Sequence, residues 1–278
     1  MFQKYSIFAK LWSQFFLYLF LNKVKWVELN ETLCVFQKDF FDRTWQLQSI
    51  PLGKEPNVLK SLLYLVENKL ISKILFATEG DLKFIELNGM KISKSVKISE
   101  EFIYQTKDFI ELTGVEYKKI RQHVNSFKKN YNYKLAPVDQ GNIKEVEAFL
   151  EIWQKIKIKE LSKKESLSFG QDFEHAKAAL KYLAKIEGVK SLAVTSDGRV
   201  IGLSIAGLIK ENIVCRFIMK AFHQEYKGVT EFLLNESVKC FPQSIYFTTG
   251  GYGKSESLRA YKEGLHPVKV TPIYKIYF

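Results

Sequence analysis

Hydrophobic positions along this chain switch repeatedly between alternation and helical spacing, which predicts an α/β chain rather than an all-helical or all-strand one. Lys25–Leu29 and Thr32–Phe36 alternate on either side of Asn30-Glu31, the pattern of a tight hairpin. Thr44–Gln48 adds a short strand, and Ile50-Pro51-Leu52-Gly53 breaks it. Asn57 then stands where a cap is expected for a helix carrying Leu59, Leu62, Leu63 and Val66 at helical spacing. Lys73–Ala77 returns to strand, a helix follows, and Asn88-Gly89 turns the chain, so that a compact first unit ends near Lys107. Thr113-Gly114 opens a helix over Val115–Tyr131 with Ile120, Val124, Phe127 and Tyr131 on one face. Lys118, Arg121, Asn125 and Lys128 make a parallel polar stripe on it.

Tyr133–Val138 predicts a strand opening a second unit, and Asn142 caps a long helix through Phe149, Ile152, Trp153 and Ile156. The lysine-dense Lys155–Lys164 reads as solvent-facing, Ser166–Gly170 as a loop and Phe173–Ile186 as a further helix. From Val189 the order is strand (Val189–Thr195), Asp197-Gly198 turn, strand (Val200–Leu208), strand (Ile213–Met219), basic loop (Lys220–Gly228) and helix (Val229–Cys240). A strand (Ile245–Thr248), a glycine loop and a helix (Ser255–Glu263) complete it. A strand running through a glycine-ended loop into a helix presents N–H groups without intrahelical partners, which suits a ligand bearing phosphates.

Length and composition narrow the picture only a little. A chain of 278 residues with 46% hydrophobic and 14% aromatic content can bury one large core or two ordinary ones, and the aromatic fraction argues against disorder. The net charge of +12 favours nucleic acid, phosphorylated small molecules or an anionic surface without choosing among them; a basic surface kept for solubility is the alternative. Cys34, Cys215 and Cys240 are odd in number and widely spaced, so neither a disulfide framework nor a metal site is expected, and a cytoplasmic setting is the simplest. The apolar run Phe15–Leu21, bracketed by Lys10, Gln14, Asn22 and Lys23, is too short to span a bilayer and reads as an aromatic core helix.

Gln224-Glu225-Tyr226-Lys227-Gly228-Val229 resembles the pyrophosphate loop of GNAT acetyltransferases, and Ser257–Leu265 looks like their late helix. A wider resemblance covers nearly the whole chain. Tyr104–Asp108, Tyr117–Phe127, Glu225-Tyr226-Lys227-Gly228, and Leu258-Arg259 with Lys262 and His266-Pro267 are similar, in that order, to the cytoplasmic domain of bacterial phosphatidylglycerol lysyltransferases and its soluble DUF2156-type relatives. The resemblance implies two tandem GNAT-like units of α/β (α+β) class, with mixed, mostly antiparallel sheets flanked by helices. Their expected bounds are 1–112 and 133–278, bridged by the basic helix at 113–132, with the active site in the second. It further implies a transferase moving an acyl or aminoacyl group from acyl-CoA or aminoacyl-tRNA, as co-substrate and not as a tightly bound cofactor. The acceptor would be an amine or hydroxyl on a small molecule or lipid headgroup. A non-catalytic binding module with the same fold is the alternative.

The site residues follow from that resemblance. Gln224, Tyr226, Lys227, Gly228 and Val229 are expected to meet donor phosphate, against an ordinary surface loop. Tyr261 is the candidate general acid, against a packed helix residue, and His223 the candidate base or phosphate contact, against a solvated loop histidine. Thr249, Gly250, Gly251 and Tyr252, with Arg259 and Lys262, are expected to contact substrate, the glycines allowing close backbone approach. Lys118, Arg121, Asn125 and Lys128 are expected to face tRNA, or else to brace the two units. The resemblance departs at Met219-Lys220-Ala221 and Thr248–Gly253, which carry none of the family's acidic residues. A lysyl ammonium needs facing carboxylates, so a transferred group other than lysine is expected.

Overall fold

The computed structural model describes residues 24–39, 42–160, 173–174, 176–181, 188–210, 213–251 and 255–278. The readings made for Phe15–Leu21, Ser166–Gly170, Tyr252 and Gly253 lie outside the described residues. By packing, the chain divides into two units. Unit 1 runs to Ile103 and takes in Gly250–Glu263 and Lys269–Phe278, while unit 2 comprises Tyr104–Thr249 and Gly264–Val268.

Unit 1 begins with the hairpin β1 (Val24–Leu29) and β2 (Thr32–Lys38), turned at Asn30 and Glu31, both in the left-handed region. β3 (Trp45–Leu47) pairs antiparallel with β2. α1 (Glu55–Glu67) leads into β4 (Lys73–Thr78), which meets β3 in parallel at one residue pair, Leu47↔Ile74. Asn57 is not the cap of α1. The helix starts two residues earlier, after an extended Lys54, because Pro56 brings a helical φ and no N–H to satisfy. α2 (Glu79–Leu87) is held by a capping box in which Thr78 and Asp81 exchange bonds. β5 (Lys94–Gln105) follows, and β11 (Lys269–Tyr277) enters from the far end of the chain between β4 and β5, antiparallel to both. The order is β1-β2-β3-β4-β11-β5. Leu47, Leu62, Ile74, Ile85 and Ile276 are wholly buried at its core. α7 (Glu256–Glu263) belongs to the same unit.

Unit 2 opens with α3 (Thr106–Glu111) and α4 (Lys118–Asn130). The helix expected from Val115 starts at Lys118, because Leu112 and Gly114 both sit at positive φ and Arg121 bonds back to their carbonyls. Ile120, Val124 and Phe127 are buried as the spacing predicts. After β6 (Tyr133–Pro137) and α5 (Ile143–Glu160), the strands β7 (Val189–Ser196), β8 (Arg199–Lys210) and β9 (Ile213–Ala221) form an antiparallel meander with β6 at its edge. Of the helix expected over Phe173–Ile186, the described residues 173–174 and 176–181 are helical. α6 (Val229–Lys239) then returns the chain to β10 (Tyr246–Thr248). β10 runs parallel to β9 but pairs only with Ile213–Cys215, so the rest of β9 has no β10 partner. A short parallel strand pair joined through a helix is thus built twice: by β9 and β10 around α6, and by β3 and β4 around α1.

Candidate functional site

Two clusters contain the residues singled out from sequence, one in each unit. In unit 1, Arg259 and Lys262 lie three apart on α7 and so share a face. Lys262 is 2% exposed. Its Nζ donates to the carbonyls of Gly250 (2.5 Å) and Gly251 (2.6 Å) and stands 5.9 Å from the Phe102 ring centroid. A buried ammonium is costly unless acceptors surround it, and two successive carbonyls converge on this one. The loop can approach because Gly250 takes a φ of 69° and because a Cβ on Gly251 would overlap Ser99 Oγ.

Arg259 donates from Nε to Glu100 Oε2 (3.1 Å), and its Nη2 lies 3.3 Å from Glu263. Lys97 bonds to the other oxygen of Glu100. Glu100 is 6% exposed. The Lys97 hydrogen bond, with a smaller contribution from Arg259, holds the Glu100 carboxyl below the usual carboxylate range in spite of its burial. Tyr261 has its hydroxyl buried. Glu100, Lys97 and Ser99 were not among the residues picked out from sequence. The available signal was the alternation of β5, whose buried positions are Glu100, Phe102 and Tyr104: a carboxylate on the apolar face of a strand is rarely there for packing.

In unit 2 the Gln224–Val229 loop is tied into the fold. Tyr226 is buried, and its hydroxyl accepts from Arg199 Nε (3.3 Å) and Nη2 (3.1 Å), while Arg199 also pairs with Glu225. The Tyr131 hydroxyl donates to the Glu225 carbonyl (3.3 Å) and accepts from the Lys227 N–H (3.2 Å). The Val229 N–H bonds to the Tyr226 carbonyl (3.2 Å). Gly228 has φ 85°, and a Cβ there would run into the backbone carbonyl of His123 on α4. His123 in turn faces Glu231, 3.3 Å away in the first turn of α6. The N–H groups of Lys227 and Val229 are therefore engaged within the unit, and Gly228 is a point of close helix packing. His223, Gln224 and Lys227 are exposed.

Thr249 is buried, its Oγ1 3.4 Å from the Tyr104 hydroxyl, and Tyr104 stacks on Phe247. On the polar stripe of α4, Lys118 and Asn125 are exposed, Arg121 bonds to the Leu112 and Gly114 carbonyls, and Lys128 lies 3.3 Å from Glu236. Among the described residues no group of three or more His, Cys, Asp or Glu side chains is placed to hold a metal ion, and no helix is long and apolar enough to cross a membrane.

The architecture, two α/β units each with a short parallel strand pair joined through a helix, is GNAT-like. Residues 11–249 match the family described as phosphatidylglycerol lysyltransferase, C-terminal, and the chain belongs to that family. It is similar to the uncharacterized protein MYCGA3080 of Mycoplasmoides gallisepticum, with 25% identity over 219 residues. That alignment takes in 76% of this chain and spans 65% of the length of the relative. Among solved structures, a conserved protein of unknown function from Bacteroides thetaiotaomicron superposes with a TM-score of 0.82 at 17% identity, covering 96% of this chain and 90% of the other. L-PGS from Bacillus licheniformis superposes with a TM-score of 0.65 at 16% identity, covering 93% and 85%.

Proposed function

We propose that the chain is an aminoacyl or acyl transferase that moves its group from an aminoacyl-tRNA or acyl-CoA donor to an amine or hydroxyl acceptor on a small molecule or lipid headgroup. Family membership over residues 11–249 is the observation that carries this reading. In the reaction the acceptor attacks the ester or thioester carbonyl carbon, a negative oxygen develops, and the carbon–oxygen or carbon–sulfur bond to the leaving group breaks. The acceptor gives up one proton and the leaving group gains one. Fixing the two reactants in register supplies on the order of 7–11 kcal/mol of the barrier.

Lys262 is our candidate for holding negative charge, because a buried ammonium acts with little solvent screening. Arg259, 39% exposed and anchored through Nε on Glu100, is the candidate for a substrate carboxylate. In unit 1, Gly250 and Gly251, with Tyr252, are proposed substrate contacts and Tyr261 the acid; in unit 2, Thr249 is a proposed substrate contact and His223 a proposed phosphate contact. Donor phosphate is proposed to meet the side chains of Gln224 and Lys227, since the Lys227 and Val229 N–H groups have partners inside the unit. The same engagement favours the second reading, a non-catalytic module that keeps the fold. Lys118 and Asn125 are the exposed members of the α4 stripe and the proposed tRNA contacts. Because Glu100 already faces Lys97 and Arg259, it supports a transferred group other than lysine.

A thermal-shift panel of acyl-CoAs and charged tRNAs tests the reading. A donor at about 100 times its Kd adds about 2.7 kcal/mol to the folded state and raises Tm. A shift with one donor class and not the other assigns the donor, and no shift with either counts against the transferase reading.

A further inference from the structure

Unit 1 contains a cavity of about 260 Å³ where β3 and β4 part. The parallel ladder has its pair at Leu47↔Ile74 and a bond from the Phe76 N–H to the Gln48 carbonyl (2.9 Å). The chain after β3 then turns back to β2 through mutual Leu33 and Leu52 bonds, and β4 runs on without it into the capped start of α2. The gap is walled by Val58, Phe76, Phe84 and Ile273, with Glu55 at the first turn of α1 and Asp81 at the first turn of α2. Its volume exceeds that of a dry packing defect and approaches the range of small-molecule pockets.

Charge says what the cavity takes. The chain carries 42 Lys and Arg against 30 Asp and Glu, yet the charged residues in this wall are the exposed Glu55 and the buried Asp81, whose Oδ2 accepts from the Thr78 N–H and hydroxyl. An ammonium attached to an apolar body is matched in both of its parts, the cation by Glu55 and the body by Val58, Phe76, Phe84 and Ile273. We infer that unit 1 has a second binding site, in the β3/β4 cleft, for a primary amine on an aliphatic or aromatic chain. This goes beyond the transferase reading and does not depend on it.

Titration of the full chain with phenethylamine, 2-phenylethanol and 3-phenylpropionate, followed by protein-observed NMR, tests the site. The amine shifts signals of Val58, Phe76 and Phe84, the alcohol binds more weakly and the anion not at all. Gly80→Leu crowds the cleft: Gly80 lines it, a Cβ there meets only Thr78 Oγ1 at 3.7 Å, and the substitution is expected to remove amine binding. Glu55→Gln, at an exposed position, lowers amine affinity about fivefold, which is about 1 kcal/mol, and leaves the alcohol unchanged. No amine shift up to about 10 mM, beyond the range of weak millimolar binding, overturns the proposal. So do equal binding of amine and alcohol in the unsubstituted chain, anion binding as tight as the amine's, and an unaltered response in Gly80→Leu.

Discussion

Gly228→Ala distinguishes a packing junction from an open phosphate loop in unit 2. At φ 85° an L-residue costs about 1–2 kcal/mol. The new Cβ also overlaps the carbonyl of His123 and meets Phe127 Cβ at 3.3 Å. His123 presents backbone atoms here, so relief requires a shift of α4, and overpacking of this kind costs typically about 1–3 kcal/mol. The variant is thus expected to lose about 2–5 kcal/mol in all. Gly198→Ala is the control: its φ is 76°, and a Cβ there meets nothing within 4 Å, so it carries the conformational cost alone. Equilibrium urea unfolding followed by circular dichroism reads both. Gly228→Ala should be less stable than Gly198→Ala by about 1–3 kcal/mol. Equal destabilisation, to within about 0.5 kcal/mol, refutes the close approach, and unchanged stability with lost donor binding would restore the open loop.

Three further outcomes are expected. Lys262→Met removes hydrogen bonds from a charged donor to the Gly250 and Gly251 carbonyls and destabilises by about 1.5–3 kcal/mol, read by urea midpoint. Because the folded pKa of Glu100 is depressed, its contribution is full above the unfolded value of about 4.3 and is lost as pH falls through the folded value. The stability gap between the unsubstituted chain and Glu100→Gln should therefore be open at neutral pH and close under acid; a gap independent of pH contradicts the ion cluster. Burial pushes the Cys34 thiol up to about 11, so it should resist iodoacetamide at mildly alkaline pH in the folded chain and react in denaturing urea, as mapped by peptide mass spectrometry.

The elements legible in sequence are those whose pattern is local. The Asn30-Glu31 hairpin, the α4 face of Ile120, Val124 and Phe127, and the meander from Val189 each carry their periodicity within a few residues. β11 carries little: Lys269–Tyr277 mixes Pro272 with lysines and tyrosines, and its partners on β5 lie more than half the chain away. β5 was missed for a related reason, since its first half is solvent-facing and only Glu100, Phe102 and Tyr104 are buried. The cluster around Arg259 was half visible. Arg259 and Lys262 stood out on one helical turn, but the carboxylate that anchors Arg259 comes from a position 159 residues earlier. Tyr226-Lys227-Gly228 was visible as a motif, whereas the use of Gly228 by α4 depends on a helix about a hundred residues upstream, which no local pattern announces.

The transferase reading is tested most directly by donor discharge. The folded chain is mixed with labelled aminoacyl-tRNAs or labelled acyl-CoAs and a pool of amine and hydroxyl acceptors, and the label leaving the donor is followed over time. The account predicts discharge from one donor class, with Arg259→Gln slower by on the order of 10- to 100-fold below saturation, as for loss of a charge-assisted binding contact. Discharge no faster than without protein, for every donor of both classes, would contradict it and leave a binding module.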